Sequence, residues 1–532
     1  MRFRLLALAA LLLPLESRTV LLTVAGLGVT LTELAVYAAV AACTMVVLRH
    51  PRAFDALDWA ALGWAAAWVA AGLGAPWAHE AAVRHGARLA TGALLCVLAR
   101  ASFAPGERER LGRVLGAAGV LAAASGWLDI LLPGAAGPLF SAFRIKATTS
   151  SFGVRAAGTF EHANQLSDFL EVTLPFTLLW TAGPGRDRIR MGRAGLVIGV
   201  GSLVWAMSRA GWVSGAAGLA LALAAGLRRV AHAGRLALVL ATVPLALFSV
   251  SPRLRGRLLW PAVRPPFSAA YGFRLSPSPR IVVMNTGTVP WPGGTRAPDR
   301  VRLSVFGRRL TPPPKEAEVL LDLPGDVPAG GAVEVPIDPA GTLPPGRYLH
   351  VYEVVHPTFG YASQWDIAPL SGETEIRGGR AILRYGSGGG PLRRPKASRP
   401  QLWAAAWRAF LARPSFGWGP GMFQRFSPNW LPGVEYDPRL HPNQLYLHHL
   451  AEGGVPAFLA LCAVVVAAAV RLAGRLGGRR ADLPACAAAG ALLAWCLHGF
   501  ADSFILFNGT GWMLWLALAV GCPRNIYNSQ KE

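Results

Sequence analysis

The chain is poor in charge, and poorest in acid. Only 15% of its residues are Asp, Glu, Lys or Arg, whereas a soluble domain carries about a quarter. Bases outnumber acids, and the net charge is 52 − 29 = +23. Cysteine is scarce too. The six are Cys43, Cys96, Cys462, Cys486, Cys496 and Cys522, all in or at the edge of apolar runs. The large polar region has none, which excludes a disulfide framework there, and the spacings do not fit a zinc site. No HExxH spacing is present. Zinc-finger, RRM and helix-turn-helix signatures are absent as well, so the basic surplus is not read as a nucleic-acid footprint.

What the chain has instead is apolar length. Hydrophobic residues make up 53% and the mean hydropathy is +0.38. Runs long enough to cross a bilayer, about 17 to 25 residues each, lie near 5–24, 31–48, 57–74, 85–101, 111–131, 164–181, 191–207, 210–227, 233–250, 451–472, 481–499 and 504–521. The first has the basic start and apolar core of a signal peptide but lacks a small-residue cleavage site, so it is expected as an uncleaved helix. The fold class expected is mainly α, a polytopic membrane bundle of about twelve helices. With the N-terminus inside, the inner loops hold Arg49 and Arg52, then Arg108, Arg110 and Arg113, then Arg186, Arg188, Arg190 and Arg193, then Arg228, Arg229 and Arg235, and finally Arg471, Arg475, Arg479 and Arg480. That distribution satisfies the positive-inside rule. It puts 132–163, the turn at Ser208–Gly211 and the segment 251–450 on one outer face.

The long outer segment changes character between 265 and 385. Short β-type runs alternate with Pro and Gly turns, the pattern of an all-β sandwich. NTGTVPWPGG followed by LPPGRYLHVYEV resembles immunoglobulin-like domains that carry a Trp after an Asn-Thr-Gly turn. The domain reading is therefore helices over 1–250, a β-sandwich insertion over 265–385, a linker and amphipathic region over 386–450, and helices again over 451–521. Gly386 to Gly390 reads as flexible linker. A helix with Trp403, Trp407 and Phe410 on one side reads as lying at the membrane interface.

The stretch RAAGTFEHANQLSDFLEVTLP, 155–175, draws most attention. As a helix it sets Asn164, Asp168, Glu171 and Pro175 on one face. Helix capping explains Asn164 and Glu161. It does not explain Asp168 and Glu171 deeper in, because intramembrane acids are costly and face a cavity, a partner or a substrate. Arg209, in MSRAGWVSG, sits on an outer turn. A snorkelling arginine is one reading; an anion ligand or a partner for Asp168 or Glu171 is the other. Arg155 is a second anion-binding candidate. Near the C-terminus, HPNQLYLHHLAEGGVPAF gathers His441, Asn443, His448, His449 and Glu452 before an apolar run. A polar interfacial cap, with Tyr446 and the histidines in the headgroup layer, competes there with a catalytic cluster.

Taken together, four stretches in order resemble the O-antigen ligase/polymerase family of bacterial inner-membrane glycosyltransferases. They are RAAGTFEHANQLSDFLEVTLP, MSRAGWVSG, RPSFGWGPGMFQRF and HPNQLYLHHLAEGGVPAF, and HGFADSFILFNGTGWMLWLALAV also fits. The resemblance covers most of 1–250 and 400–521, and the β insertion lies outside the family pattern. It implies a GT-C-like fold and transfer of a glycan from an undecaprenyl-diphosphate carrier to a glycan or lipid acceptor at the outer side of the cytoplasmic membrane. It also implies that Arg155 and Arg209 bind the diphosphate and that a histidine in the last outer loop activates the acceptor. Many members have His-Asn three residues before the Tyr-Leu pair. Here Asn443-Gln444 stands there and His441 lies two residues earlier, so His441 is the candidate base with Glu161 beside it, and His448 or Glu452 are alternatives. Asn164, Asp168, Glu171, Asn443, His448 and Glu452 are expected to line or orient the site. With guanidinium groups facing the leaving diphosphate and no Asp-x-Asp motif, neither metal nor cofactor is implied. A transporter or flippase is the rival from another class, although no repeated halves with broken helices are found. A non-catalytic membrane scaffold is the third reading.

Overall fold

The computed structural model describes residues 1–17, 19–24, 27–50, 53–76, 78–144, 149–150, 153–182, 185–226, 233–259, 267–274, 280–294, 300–309, 316–337, 345–357, 360–362, 370–377, 380–384, 399–427, 430–431, 441–476, 482–503, 505 and 507–524. Helices dominate. In order they are α1 (Arg2–Leu12), α2 (Leu31–Arg49), α3 (Ala56–Leu73), α4 (His79–Ser102), α5 (Glu107–Leu131), α6 (Pro133–Leu139), α7 (Ala163–Thr181), α8 (Arg186–Trp205), α9 (Arg209–Gly226), α10 (Ala233–Val250) and α11 (Pro252–Leu259). After the β region come α12 (Arg399–Ala412), α13 (Phe423–Phe426), α14 (Leu445–His448), a π-helical turn His449–Gly453, α15 (Gly454–Leu476), α16 (Leu483–His498) and α17 (Asn508–Gly521).

Among the described residues, five spans are long and apolar enough to cross a membrane: Leu31–Arg49, Ala56–Leu73, Glu107–Leu131, Ala233–Val250 and Leu445–Leu476. α10 keeps Leu238, Val239, Leu245 and Val250 exposed, a band that water would penalise and lipid would cover. The expected first span, 5–24, is not a helix throughout. α1 covers 11 residues, about 16 Å at 1.5 Å each, short of a hydrocarbon core of about 30 Å. A 3-10 turn with Pro14 ends it, and Leu22–Val24 and Leu27–Val29 then pair as a β-hairpin, β1 with β2. Apolar content alone does not separate helix from strand.

Local signals set several helix starts. Thr30 and Glu33 form a capping box on α2, and Asp55 and Asp58 form one on α3, each satisfying N–H groups that would otherwise lack partners. Asp55 and Asp58 also meet Arg100, whose side chain is fully buried. Arg524 joins Asp58 at 2.8 Å and Arg471 joins Asp55 at 2.9 Å. Arg475 pairs with Asp482 at 3.2 Å, and Arg108 pairs with the same carboxylate. Arginines of several loops expected inside are thus tied to acids at helix ends.

At the centre lies α7, buried along every residue but Asn164 and Trp180. It packs on α5, α8, α9 and α16. Small residues allow the close approach. Gly116 meets the Phe176 backbone and Gly119 meets Thr173. α9 and α16 cross through Gly218 and Gly490.

Between α11 and α12, the described residues include nine strands in two antiparallel sheets. One runs, edge to edge, Arg380–Arg384, Leu370–Arg377, Gly346–His356, Arg302–Arg309 and Glu316–Asp322, with Gly360–Tyr361 also on Gly346–His356, and the other runs Ala269–Arg274, Arg280–Asn285 and Ala332–Pro336. Ile281, Val283, Leu303, Tyr352 and Val354 share one core with Trp291. Asn285 anchors the turn before Trp291 by donating to Val289 O at 2.9 Å and Val327 O at 3.1 Å. The expected linker Gly386 to Gly390 lies outside the described residues.

A Cβ at Gly218 would lie 2.4 Å from the Gly490 carbonyl oxygen. Gly218→Ala should therefore force α9 and α16 apart and cost on the order of 1–3 kcal/mol, read as a lower unfolding temperature in detergent.

Candidate active site

The loop 154–162 is pinned before it reaches α7. Asp129, at the end of α5, forms a buried pair with Arg144. Its Oδ2 also accepts from Ala157 N at 2.9 Å and Gly158 N at 2.7 Å. Gly158 has φ 57°, and a Cβ there would meet Ser125 Oγ at 2.1 Å, so both backbone angle and space require glycine. Ala156 N donates to Trp205 O at 2.9 Å. Arg155 is thereby held over the turn between α8 and α9, where its Nε donates to Ala206 O at 2.8 Å.

From Arg155 a chain of polar contacts crosses the molecule. Its Nη2 donates to Asn164 Oδ1 at 2.5 Å, and Asn164 Nδ2 donates to Asp502 Oδ2 at 2.9 Å. The other Asp502 oxygen meets His441 Nε2 at 3.2 Å. Arg399, half exposed at the start of α12, stands 3.8 Å from Asp502. Three residues expected from sequence, Arg155, Asn164 and His441, thus meet through Asp502, which sequence reasoning did not single out. A lone Asp in the apolar stretch HGFADSFILF was the signal available.

Burial alone would raise the Asp502 carboxyl. The His441 hydrogen bond, with the positive charge of His441, His498 and Arg399, outweighs it and holds Asp502 below the ordinary carboxylate range. Burial likewise pushes the Arg155 guanidinium down to about 9, with Arg257 adding to the effect and Asp502 opposing it. A cation placed where its charge is poorly compensated favours an incoming anion. Arg257, on α11, donates to Met207 O at 3.2 Å, one residue beyond the carbonyl that Arg155 holds. Met207 has φ 51°, and Arg209 follows as the exposed first residue of α9. Arg155, Arg257 and Arg209 therefore gather about one turn.

Asp168 and Glu171 face neither lipid nor open water. Glu171 Oε1 meets His498 Nδ1 at 2.8 Å and Ser167 Oγ at 3.0 Å, while Oε2 accepts from Ser214 Oγ at 2.6 Å. The expected arginine partner for these acids gives way to His498, at the end of α16, another residue missed from sequence. Asp168, Glu171 and His498 are the one group among the described residues whose ligand atoms lie close enough, within 4.8 Å, to share a metal ion. As they stand, Glu171 and His498 share a buried hydrogen bond with a second carboxylate beside it.

The histidines of 441–452 divide. His448 and His449 are completely buried, which corrects the reading of these two as headgroup-layer residues. His448 Nδ1 meets Ser503 Oγ at 2.8 Å, and its Nε2 meets Glu452 Oε2 at 3.0 Å. Glu452 accepts from Gly421 N at 2.6 Å and Phe423 N at 2.8 Å. With both its oxygens bound to backbone amides, Glu452 is committed to holding the Gly417–Gly421 loop on the π-helical turn. Gly417 has φ 64°, and a Cβ there would lie 2.4 Å from the Glu452 carbonyl carbon. His449 accepts from Trp64 Nε1 at 3.2 Å and its Nδ1 meets Leu445 O at 2.9 Å. Asn443 has φ 51°, and its carbonyl accepts from Trp403 at 3.4 Å, which turns the chain from His441 into α14. Tyr446 donates to Cys496 O at 2.8 Å.

Glu161 points elsewhere. It lines a cavity of about 340 Å³ with Glu16, Glu33, Arg88, Gln165 and Asn508. α7 separates its two walls by one residue step, since Asn164 turns to Asp502 and Gln165 to this cavity.

A depressed carboxyl stabilises the fold above the unfolded-state pKa of about 3.9, and that contribution is lost as pH falls through the folded value. Asp502→Asn removes it. The variant should be less stable than the parent at pH 7 and should lose stability less steeply below about pH 5, as measured by unfolding temperature against pH.

Residues 389–462 match the family model described as O-Antigen ligase. The matched span takes in α12, the Gly417–Gly421 loop, His441, His448 and Glu452, and ends before Asp502. No curated protein matches the chain.

Proposed function

We propose that this chain, which carries an O-antigen ligase domain at 389–462, is a membrane glycosyltransferase. It moves a glycan from an undecaprenyl-diphosphate carrier to a glycan or lipid acceptor at the outer face of the bacterial cytoplasmic membrane. A ligase and a polymerase share this donor chemistry and differ in acceptor. The observation that carries the reading is the contact chain from Arg155 through Asn164 and Asp502 to His441. It joins an anion-binding group to a base across one buried carboxylate, and His441 lies in the matched segment.

In this mechanism the acceptor hydroxyl oxygen attacks the anomeric carbon and its proton passes to His441. The bond from that carbon to the diphosphate oxygen breaks, and the leaving diphosphate gains charge. Arg155 and Arg209, with Arg257 beside them, stabilise that charge in a site of low dielectric. Asp502 holds the Nε2 proton of His441, so Nδ1 is the basic nitrogen, and the carboxylate stabilises the imidazolium that forms. Asp168, Glu171 and His498 brace α7 beneath the site. The face of action rests on the arginine-rich inner loops and the positive-inside rule, and the twelve-helix GT-C-like arrangement belongs to the same reading.

Arg155→Ala and Arg209→Ala should each lower transfer by about 10²–10³-fold, the range for loss of one stabiliser of developing charge, while the protein stays in the membrane. The measurement is glycan transfer in vesicles supplied with lipid-linked glycan. Full activity in Arg209→Ala would sink the diphosphate assignment. His441→Ala should cost about 10²–10⁴-fold, the range for general-base catalysis, with donor binding retained.

A further inference from the structure

The cavity that Glu161 lines has no place in the mechanism above. Its volume, about 340 Å³, falls within the range of small-molecule sites, roughly 300–1,000 Å³. Six segments remote in sequence form its walls: the stretch after α1, the start of α2, α4 at Arg88, the chain after α6 at Phe143, the loop entering α7 and the start of α17.

We propose that this cavity is a saccharide pocket, which holds an uncharged or amino-bearing sugar ring beside the candidate base. The role rests on the transfer reading above. The placement comes from Phe507. Its ring lines the cavity and stands edge-on to the His441 ring, with centroids 6.4 Å apart. The candidate base and the pocket therefore share a wall, while Arg155 lies on the other side of Asn164.

The lining suits a sugar. Carboxylates of Glu16, Glu33 and Glu161 and amides of Gln165 and Asn508 offer planar acceptors and donors in pairs, as neighbouring hydroxyls require. Phe160 and Phe507 supply apolar surface for the C–H face of a ring. Charge selects among sugars. Arg88 is already bound to Glu33 at 2.7 Å and to Gly28 O at 3.0 Å. Among the described residues the lining thus holds acids in excess of base, which disfavours uronates and phosphates. Glu16 is recessed, and burial raises its carboxyl against the Gly509 and Asn508 hydrogen bonds, which moves it toward a form that can donate as well as accept.

Saturation-transfer difference NMR on the full-length protein in detergent tests this. The probes are methyl glucoside, methyl N-acetylglucosaminide and glucuronate. Both neutral sugars should bind at least fivefold more tightly than glucuronate. Glu161→Gln should weaken neutral-sugar binding about fivefold or more. Ser17→Trp, a substitution on the half-buried lip of the cavity, should abolish it and keeps the test open if the first variant does not fold. Arg155→Ala should leave sugar binding at full strength, so a failed diphosphate assignment and a failed pocket give different results. No neutral-sugar signal, unchanged binding in both cavity variants, tighter glucuronate binding, or loss of binding in Arg155→Ala would overturn the proposal.

Discussion

Asp502 is a carboxylate with almost no access to water, and the candidate site is arranged around keeping it ionised. A buried charge without partners costs several kcal/mol. Here the partners come from Asn164 at the head of α7, from His441 in the last long loop and from the Asp502–Ser503 turn itself, whose Ser503 N donates back at 2.9 Å. No one of these segments can satisfy the charge alone. Each is fixed in place because the others are, so a single anion sets the separation between Arg155 and His441.

The same logic is repeated deeper. Glu171 and His498 tie α7 to α16, and Ser214 brings in α9. Glu452 uses its carboxylate on the amides of a glycine-rich loop. In each case an acid in an apolar setting is bound by groups from another segment, so the acids work as joints between helices. Two arginines act on backbone instead: Arg155 and Arg257 donate to the neighbouring carbonyls of Ala206 and Met207, at the turn that leads into Arg209.

Much of this was legible beforehand, and the exceptions have physical causes. Most apolar runs became helices near their expected limits, because length and composition fix a helix in lipid. The first failed at Pro14, after which Thr23, Val24 and Val29 favour strand. Arg155, Asn164 and His441 were found because their side-chain types have few uses beside apolar runs. Asp502 and His498 were passed over because each stands single in an apolar stretch and acquires meaning only from residues more than 60 positions away. Glu452 looked like a candidate base because the sequence displays the carboxylate and hides the amides that occupy it.

The order of the chain also bears on biogenesis. Asn164 and Asp502 are separated by 338 positions, and the whole β region is made between them. At about 5–20 residues per second, a ribosome takes on the order of tens of seconds to deliver the second after the first. During that interval the half that bears Arg155 is without the carboxylate that links it to His441. Arg155 and His441 are therefore linked only once the segment between α16 and α17, which carries Asp502, has been made.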